Sequence, residues 1–262
     1  MSVKEKATDA RYRAPALDKG LDILELLAAE PSGLTRTELV RAMGKSAGEI
    51  YRMLERLVAR GYVIRSLEGD RYSLSLKLFS LGTMHPPLRR LRTTAQPLMD
   101  IFAQDTLQSV HLAALDRGSA VVIAQASSPG TWEFRLRIGA QLNLLDTSSG
   151  ITLLAFQDDE TVNHLIGEAK VNGVTISQRQ INSTKLQLNK IKVEGHRTSD
   201  SKQLIGVTDL SVPILDSQKN GVAVLTCPYI KRVDNKGSNK KHVTPNQALK
   251  ALRLLAASVS IQ

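Results

Sequence analysis

The sequence predicts an α+β protein with an N-terminal winged helix-turn-helix, a linker helix and a C-terminal domain built on an antiparallel sheet. Two observations support this prediction. Within the first 60 residues, the capping patterns TRTE and SAGE each open a short segment with helical apolar spacing. Beyond residue 107, segments with alternating apolar residues are grouped apart from segments with helical spacing, which is typical of α+β domains.

The composition limits the possible classes of protein. At 262 residues and 42% apolar content, the chain is long enough for two domains that each bury a core. Its formal net charge of +10 indicates an anionic partner, with nucleic acid ahead of a membrane surface. The single cysteine, Cys227, excludes an intrachain disulfide and a cysteine-based zinc site. Because the sequence contains no apolar run of about 18 residues and no signal-peptide pattern, we expect no membrane span and a cytoplasmic location.

Two helices are predicted before residue 44. Residues 1–14 are polar and are expected to form an arm, which is either solvated or touches a phosphate backbone. Residues 17–29 keep helical apolar spacing until the breaker PSG. Thr35 and Glu38 then form a capping box that opens a second short helix. With the helix that follows, this order gives a helix-turn-helix arrangement.

The third helix is predicted from the segment GKSAGEIYRMLERLVAR, residues 44–60. Ser46 and Glu49 form its capping box, and Gly61 is placed to end it in a left-handed conformation. Apolar residues at helical spacing form one stripe, which contains Ile50, Met53, Leu54, Leu57 and Val58. The opposite face carries Gly48, Arg52, Glu55 and Arg56. A helix with a small polar start and arginines on its outer face is suited to the major groove of DNA.

The residues after the third helix predict a wing. The runs GYVIRS and RYSLSL alternate apolar and polar residues, and the four residues between them include Gly69 and Asp70, which suit a hairpin turn. Arg65 and Arg71 flank the predicted tip. Three helices followed by a hairpin make a winged helix-turn-helix.

The predicted DNA contacts combine the third helix, the wing and the helix starts. Phosphate contacts are expected from basic residues, and base contacts from Tyr51, Arg52 and Arg56. The alternative for an arginine such as Arg52 is a solvated surface charge. The full predicted set is Thr35, Arg36, Lys45, Ser46, Ala47, Gly48, Tyr51, Arg52, Arg56, Arg65 and Arg71. A homodimer would place two such helices on a double-stranded, pseudo-palindromic operator.

Residues 79–106 are predicted to link the two domains. Pro86 and Pro87 are compatible with the start of a helix but not with its interior. From Leu88 to Phe102 the apolar residues keep helical spacing, and Pro97 is expected to interrupt and kink this linker helix.

The C-terminal part is predicted to contain both strands and helices. In residues 131–144, the apolar side chains of Trp132, Phe134, Leu136 and Ile138 alternate with charged ones, which predicts a strand. Trp132 is expected in the core or at a subunit interface. Further strands are predicted as a hairpin within 109–127 and at 206–216 and 220–230. Helices are predicted over residues 148–156, 158–169, 177–191 and 244–260.

Several segments together resemble a known family. They are, in order, ALDKGLDILELLA, LTRTELVRAMGKSAGEIYRMLERLVARGYV, RYSLSLKLFSLG, RIGAQLNLLDTSSGITLLA and IGVTDLSVPI. With these segments the chain resembles the IclR-type transcriptional regulators over nearly its whole length. The resemblance implies a GAF-like effector-binding domain, a linker helix that helps to pair subunits, and a homodimer or dimer of dimers that acts more often as a repressor than as an activator. A small-molecule effector, expected to be a catabolic metabolite, would shift the population between DNA-competent and incompetent arrangements.

One segment departs from the family pattern. Where the family commonly has a Leu-Pro-Lys-Ser-Thr-Val-type run at the start of the recognition helix, this chain has KSAGEI, residues 45–50. The base contacts, and hence the operator sequence, are therefore not carried over. The predicted boundaries are 1–14 for the arm, 15–78 for the winged domain, 79–106 for the linker and linker helix, and 107–262 for the GAF-like domain.

The resemblance places the effector pocket between the segment RIGAQLNLLDTSSG and the two late strands. The candidate lining residues are Leu142, Leu144, Asp146, Thr147, Ser148, Asp209, Ser211 and Thr226. Asp209 stands where the family often carries a cysteine, and a carboxylate among apolar neighbours is costly to bury unless it is paired. It is expected either to bind a polar group of the effector or to pair with a backbone N–H or an arginine such as Arg135 or Arg137. Asp146 is expected to cap the following helix, with ligand contact as the alternative.

No catalytic or metal-binding pattern is found in the sequence. The five histidines lack metal-ligand spacing, no serine sits in a G-x-S-x-G turn, and no Gly-rich phosphate loop occurs. We therefore predict no metal, no cofactor and no enzymatic activity. Two alternatives are an enzyme that turns over the ligand of the C-terminal domain and a winged domain that contacts protein instead of DNA.

Overall fold

The computed structural model describes residues 14–129, 134–231 and 243–260. The chain divides into two compact units, Met1–Pro86 and Pro87–Gln262. The predicted arm (except Ala14) and the predicted position of Trp132 lie outside the described residues.

In the part that the structure describes, the N-terminal unit contains four helices and a small three-stranded sheet. Its elements are α1 (Pro15–Ala28), β1 (Leu34–Thr35), α2 (Arg36–Met43), α3 (Ala47–Ala59), β2 (Val63–Arg65), β3 (Arg71–Leu74) and α4 (Lys77–Met84). One buried cluster holds the helices against the sheet, formed by Ile23, Leu27, Leu39, Ile50, Leu54, Val63 and Tyr72. The predicted apolar stripe of α3 supplies Ile50 and Leu54 to this core, which fixes the direction of its outer face.

Both predicted capping boxes are confirmed. The Thr35 hydroxyl accepts from the backbone N–H of Glu38 at 3.2 Å, and the Glu38 carboxylate accepts from the Thr35 N–H at 2.7 Å. Ser46 and Glu49 make the same reciprocal bonds at the start of α3. Since these bonds satisfy the first free N–H groups of each helix, they set where α2 and α3 begin.

The predicted wing hairpin is confirmed and gains a third strand. The sheet order is β1-β3-β2, with Val63 opposite Leu74 and Leu34 opposite Tyr72. Gly33 precedes β1 with φ +67°, and a Cβ atom there would lie 2.4 Å from the Tyr72 carbonyl oxygen. Only glycine therefore allows the two-residue strand β1 to approach β3.

The C-terminal unit contains a six-stranded antiparallel sheet. The strands are β4 (Val110–Asp116), β5 (Ser119–Ala126), β6 (Gln141–Asn143), β7 (Arg197–Asp200), β8 (Val207–Leu215) and β9 (Gly221–Ile230), in the spatial order β6-β5-β4-β9-β8-β7. The helices are α5 (Pro86–Thr106), α6 (Ser148–Ala155), α7 (Asp159–Val171), α8 (Gln178–Glu194) and α9 (Pro245–Val259). The α+β prediction is thus confirmed.

Helices cover both faces of this sheet. On one face, α5 and α9 pack through residues such as Met99, Phe102 and Leu252 against alternate residues of β8 and β9, including Leu210 and Leu225. On the other face, α6, α7 and α8 pack against β4, β5 and β9. Because side chains alternate along a strand, Asp209 and Ser211 on β8 point to the α6 face.

Three features of this unit differ from the sequence prediction. Residues Phe134–Ile138 do not form a strand, because the side chain of Gln125 replaces the backbone ladder there: its amide donates to the Phe134 carbonyl and accepts from the Leu136 N–H. Strand β7 was not predicted from its sequence RTSD. Helix α5 continues through Pro97 without interruption.

Candidate DNA-binding surface and effector pocket

The outer face of α3 is exposed along the predicted residues. Lys45, Ser46, Ala47 and Gly48 at its start are exposed, as are Tyr51, Arg52 and Arg56 further along. Arg36, at the start of α2, is also exposed, and its guanidinium carbon lies 5.6 Å from the centre of the Tyr51 ring. This cation–π distance links the starts of α2 and α3 on one surface.

An ion pair between α1 and α3 fixes the start of α3. The Lys19 ammonium of α1 binds the Glu49 carboxylate, which is also the capping carboxylate of α3. Together with the hydrogen bonds from Ser46, the Lys19 contact lowers the pKa of Glu49 to about 2. The capping carboxylate therefore stays ionised over the whole physiological range.

The two predicted wing arginines differ in exposure: Arg65 is exposed, whereas Arg71 is half-buried and contacts the segment before α2 and α2 itself. Arg65 is exposed, donates from Nε to the Gly69 carbonyl and lies over the Tyr72 ring at 5.7 Å. Arg71 donates from Nη1 to the Gly33 carbonyl at 2.9 Å and lies 3.8 Å from a Glu38 oxygen. Thr35 likewise caps α2. Arg71 and Thr35 thus already make contacts that stabilise the unit itself.

The C-terminal unit has a pocket between the start of α6, strands β8 and β9, and the turn that joins β7 to β8. Its cavity volume is about 40 Å³, room for a few water-sized groups. Predicted residues that line it are Leu142, Asp146, Thr147, Ser148, Asp209 and Thr226. Unpredicted lining residues are His111, Phe134, Leu136, Ser149, Ser201, Lys202, Gln203, Leu204, Val207 and Pro228.

A chain of buried hydroxyl groups forms the floor of this pocket. Ser149 Oγ lies 3.1 Å from His111 Nε2 and 2.8 Å from Thr226 Oγ1. Ser211 Oγ lies 2.8 Å from Thr226 Oγ1 and donates to Ser148 Oγ at 2.9 Å. All five side chains are buried, so each group depends on the next one for its hydrogen bond.

The two ends of this chain differ in charge. Burial lowers the pKa of His111 to about 4, so its imidazole is neutral at pH 7. At the other end, Arg197 of β7 donates from Nη1 to Ser148 Oγ at 3.2 Å. The chain therefore connects a neutral imidazole on β4 to a guanidinium on β7, across the four neighbouring strands β4, β9, β8 and β7.

Asp209 lies beside this chain in β8, opposite Ser199 of β7. Burial raises the pKa of its carboxyl group, while the charge of Arg197 and a hydrogen bond from Ser201 lower it in part. The arginine near Asp209 is thus Arg197, whereas the sequence suggested Arg135 or Arg137, both of which are exposed. This partner was missed together with strand β7.

Asp146 does not cap α6, so the capping prediction was wrong. The N-cap residue is Thr147, whose hydroxyl accepts from the Gly150 N–H at 3.1 Å. Instead, the backbone N–H of Asp146 donates to Asn143 Oδ1 at 3.2 Å. The carboxylate of Asp146 lies 3.7 Å from the ammonium of Lys202 across the pocket. Thr147 has the shorter side chain at the position directly before the helix, which is the position that a capping oxygen requires.

Two predicted pocket residues lie behind its lining. Leu144 is buried in the core formed with α6 and α7, and Ser211 reaches the pocket only through its bonds to Ser148 and Thr226. Among the missed residues, His111 had a signal, because it interrupts the apolar run VHLAAL of β4. Lys202 and Leu204 had none, since a polar turn gives no indication of which cavity it borders.

Two further observations concern metal and membrane. Among the described residues, no group of three or more His, Cys, Asp or Glu side chains is arranged to hold a metal ion. In the same part of the chain, no helix is long and apolar enough to cross a membrane.

Two family models match the chain. Residues 88–259 match the family described as bacterial transcriptional regulator IclR C-terminal, and residues 16–66 match the IclR helix-turn-helix domain. These ranges correspond to the C-terminal unit with α5 and to the helical part of the N-terminal unit with β2.

Individual proteins are similar over most of the chain. The HTH-type transcriptional regulator KdgR of Dickeya chrysanthemi is 31% identical over 76% of this chain, although the match spans only 65% of that protein's length. KdgR of Escherichia coli K12 is 30% identical over 76% of this chain and 75% of its own. The same fold is found in the crystal structure of an IclR homolog from Microbacterium hydrocarbonoxydans complexed with 4-hydroxybenzoate. The TM-score is 0.73 and the sequence identity 18%, and the match covers 94% of this chain and 97% of that one.

Proposed function

Because the chain belongs to the IclR family of bacterial transcriptional regulators, we propose that it binds a pseudo-palindromic operator and changes that binding when a small molecule occupies the C-terminal pocket. Its relatives are regulators, not enzymes. The proposed sign of regulation is repression, and the proposed place of action is the cytoplasm, where bacterial DNA lies.

The single observation that carries the DNA-binding proposal is the exposed face of α3. Ile50 and Leu54 are fully buried, so the helix has one orientation, and in it Arg52 and Arg56 point to solvent. In the proposed complex this face enters the major groove, Tyr51, Arg52 and Arg56 meet base edges, and the remaining basic residues of the set contact phosphates.

Exposed apolar side chains on two helices of the N-terminal unit support the proposal of a homodimer. On α1, Leu17 and Leu21 are 61% and 48% exposed, and on α4 Phe79 and Met84 are 66% and 65% exposed. Each of these helices exposes two large apolar side chains, and exposed apolar patches often mark an interface with another protein. We propose that a second copy of the chain covers them, which would place two α3 helices on the half-sites of one operator. A dimer of dimers is the larger assembly consistent with the family.

The pocket supports the effector proposal. It combines apolar walls from Leu136, Leu142 and Val207 with convergent polar groups, as small-molecule sites do. Asp209 has two proposed roles: it binds a polar group of the effector, or it serves as the structural partner of Arg197 and Ser201. The Microbacterium relative, whose structure contains 4-hydroxybenzoate, supports the proposal that this fold admits a small organic molecule, here a catabolic metabolite.

The DNA-binding proposal is tested with the full chain and an operator selected from a random pool of duplexes. Replacing both Arg52 and Arg56 by Ala should weaken specific binding by about tenfold or more at physiological salt. The matched control is the pair Arg135→Ala and Arg137→Ala, two exposed arginines of the C-terminal unit. Unchanged affinity of the Arg52/Arg56 variant would contradict the assignment of α3. Steep salt dependence of the wild type separates DNA binding from the alternative of a protein-binding winged domain.

The role of Asp209 is tested by calorimetry with candidate metabolites. Asp209→Ala should change effector affinity and response while leaving operator binding of the unliganded protein intact. The same effector affinity in the variant would assign Asp209 a structural role only.

A further inference from the structure

A group of arginines occupies the first two turns of α5, where helix stability does not explain it. Arg89, Arg90 and Arg92 occur near the N-terminal end, and the helix has no acidic residue before Asp100. The N-terminal end of a helix carries partial positive charge, so cations are disfavoured there. Asp100 and Asp105 lie towards the other end, where anions are disfavoured. The charges of α5 therefore run in the reverse order to the one its dipole favours.

Two of these arginines point away from the core. Leu91, Ala95 and Met99 of α5 are buried against the sheet. At roughly 100° per residue, Arg89 and Arg90 fall on the opposite side of the helix, and both are exposed. Arg92 is half-buried. The exposed pair is thus directed to solvent by the same packing that fixes α5.

The exposed pair is not neutralised within the described part of the chain. There, no acidic oxygen within 4.0 Å forms an ion pair with Arg89 or Arg90. Their guanidinium groups accordingly present planar forks of N–H donors to solvent, a geometry that matches the oxygens of a phosphate group.

The pair also lies next to the end of the N-terminal unit. Pro86 is the last residue of that unit, and Arg89 follows it by three residues. Three helical residues advance by only about 4.5 Å, so the chain itself keeps Arg89 near the last residue of that unit. We propose that Arg89 and Arg90 bind DNA backbone phosphates outside the segment read by α3, a contact that rests on the proposed function. The contact adds affinity that is independent of sequence.

A salt titration tests this contact without knowledge of the operator. The full chain is titrated with a mixed-sequence duplex of about 40 base pairs at several KCl concentrations, and log Kobs is plotted against log[KCl]. Each phosphate contact contributes a slope of about −0.9, so the double substitution Arg89→Gln, Arg90→Gln should reduce the slope's magnitude by up to about 2 for each protomer bound to the duplex and should weaken binding. Arg89→Lys with Arg90→Lys keeps the charges and should retain most of the slope. The matched control, Lys190→Gln with Lys192→Gln on the exposed side of α8, should leave it unchanged.

The thermal stability of the same variants gives an independent readout. Since the arginines oppose the dipole of α5, the glutamine variant should unfold at the same or a higher temperature while it binds DNA less tightly. An unchanged slope in the glutamine variant, or an equal loss in the lysine variant, would overturn the proposal. If the wild type itself shows no salt-dependent binding, the proposed DNA-binding function fails instead.

Discussion

The ammonium of Lys202 lies 3.7 Å from the carboxylate of Asp146, and the two residues come from opposite sides of the pocket. Asp146 precedes α6, whereas Lys202 belongs to the turn between β7 and β8. Both side chains are about half-exposed, so the pair contributes little to overall stability. Its effect is local, because it ties the turn to the start of α6 over a cavity of about 40 Å³.

We expect Lys202→Gln to open the pocket to solvent. A thiol placed at Val207, which lines the pocket, reports this access in a Cys227→Ala background. The rate of methanethiosulfonate labelling of Val207→Cys should rise severalfold when Lys202 is replaced. Lys190→Gln is the matched control, because Lys190 and Glu194 on α8 are also 3.7 Å apart but lie away from the pocket. Equal labelling rates with and without Lys202 would show that the ion pair does not restrict access.

The buried imidazole of His111 predicts a loss of stability in mild acid. An unfolded histidine takes up a proton below its ordinary pKa of 6.5, whereas burial keeps His111 neutral in the fold until about pH 4. The unfolded state therefore binds more protons between these two pH values. The contribution of His111 to the free energy of unfolding is fully present above pH 6.5 and is lost as the pH drops towards 4. At about 1.4 kcal/mol per pKa unit, the fall attributable to His111 is about 3 kcal/mol.

Urea denaturation from pH 7.5 to 4.5 measures this contribution. His111→Asn should be less stable than the wild type at pH 7.5 but should lose less stability on acidification. His164→Asn, at an exposed position of α7, is the control and should follow the wild-type profile. Parallel profiles for His111→Asn and the wild type would indicate that other groups account for the acid sensitivity.

Sequence reasoning succeeded where the determining interactions are local. The two capping boxes, the stripe of α3 and the wing turn each depend on residues a few positions apart, so the pattern alone predicts them. It failed where a distant residue decides the structure. Phe134–Ile138 alternates like a strand, but the Gln125 side chain takes the hydrogen bonds that a neighbouring strand would make.

The same distinction holds for the pocket. Thr147, Ser148 and Thr226 were predicted because the family resemblance places the pocket between the segment RIGAQLNLLDTSSG and the two late strands. Arg197 was missed because RTSD has no apolar alternation and forms a strand only through its pairing with β8. Lys202 was missed because the turn that carries it reaches the pocket only after that pairing is made.

The capping box of α3 is predicted to contribute both to the stability of the protein and to its affinity for DNA, and a second capping box allows the two effects to be measured separately. Ser46→Ala removes the hydroxyl that accepts from the Glu49 N–H at 3.4 Å, which should cost about 1 kcal/mol in the free energy of unfolding. Ser177→Ala is the matched control, because Ser177 and Gln180 form the same box at the start of α8. Both should lower stability by a similar amount, but only Ser46→Ala should weaken DNA binding in a fluorescence-anisotropy titration. If both variants changed the DNA affinity equally, the cap of α3 would have no specific role in DNA binding.

The position of the pocket depends on a close approach at Gly150. This residue lies in the first turn of α6, and a Cβ atom there would stand 2.4 Å from Leu144 Cα and 2.6 Å from the Asn143 carbonyl oxygen. Both are backbone atoms, which cannot move away without shifting the segment that leads from β6 to α6. Thr147, Ser148 and Asp146 would move with that segment.

Gly150→Ala should therefore destabilise the C-terminal unit and disturb the pocket. Overpacking against backbone should cost about 2–3 kcal/mol or more in the free energy of unfolding, measured by urea denaturation followed by circular dichroism. Gly167→Ala supplies a control of opposite sign, because Gly167 is exposed within α7 and a Cβ there meets no atom within 4 Å. That variant should gain about 0.5–1 kcal/mol, since alanine restricts the unfolded chain and favours the helix. A neutral Gly150→Ala would mean that α6 can slide away from β6, and the pocket would then lack the fixed wall on which the hydroxyl chain of Ser148 and Ser149 depends.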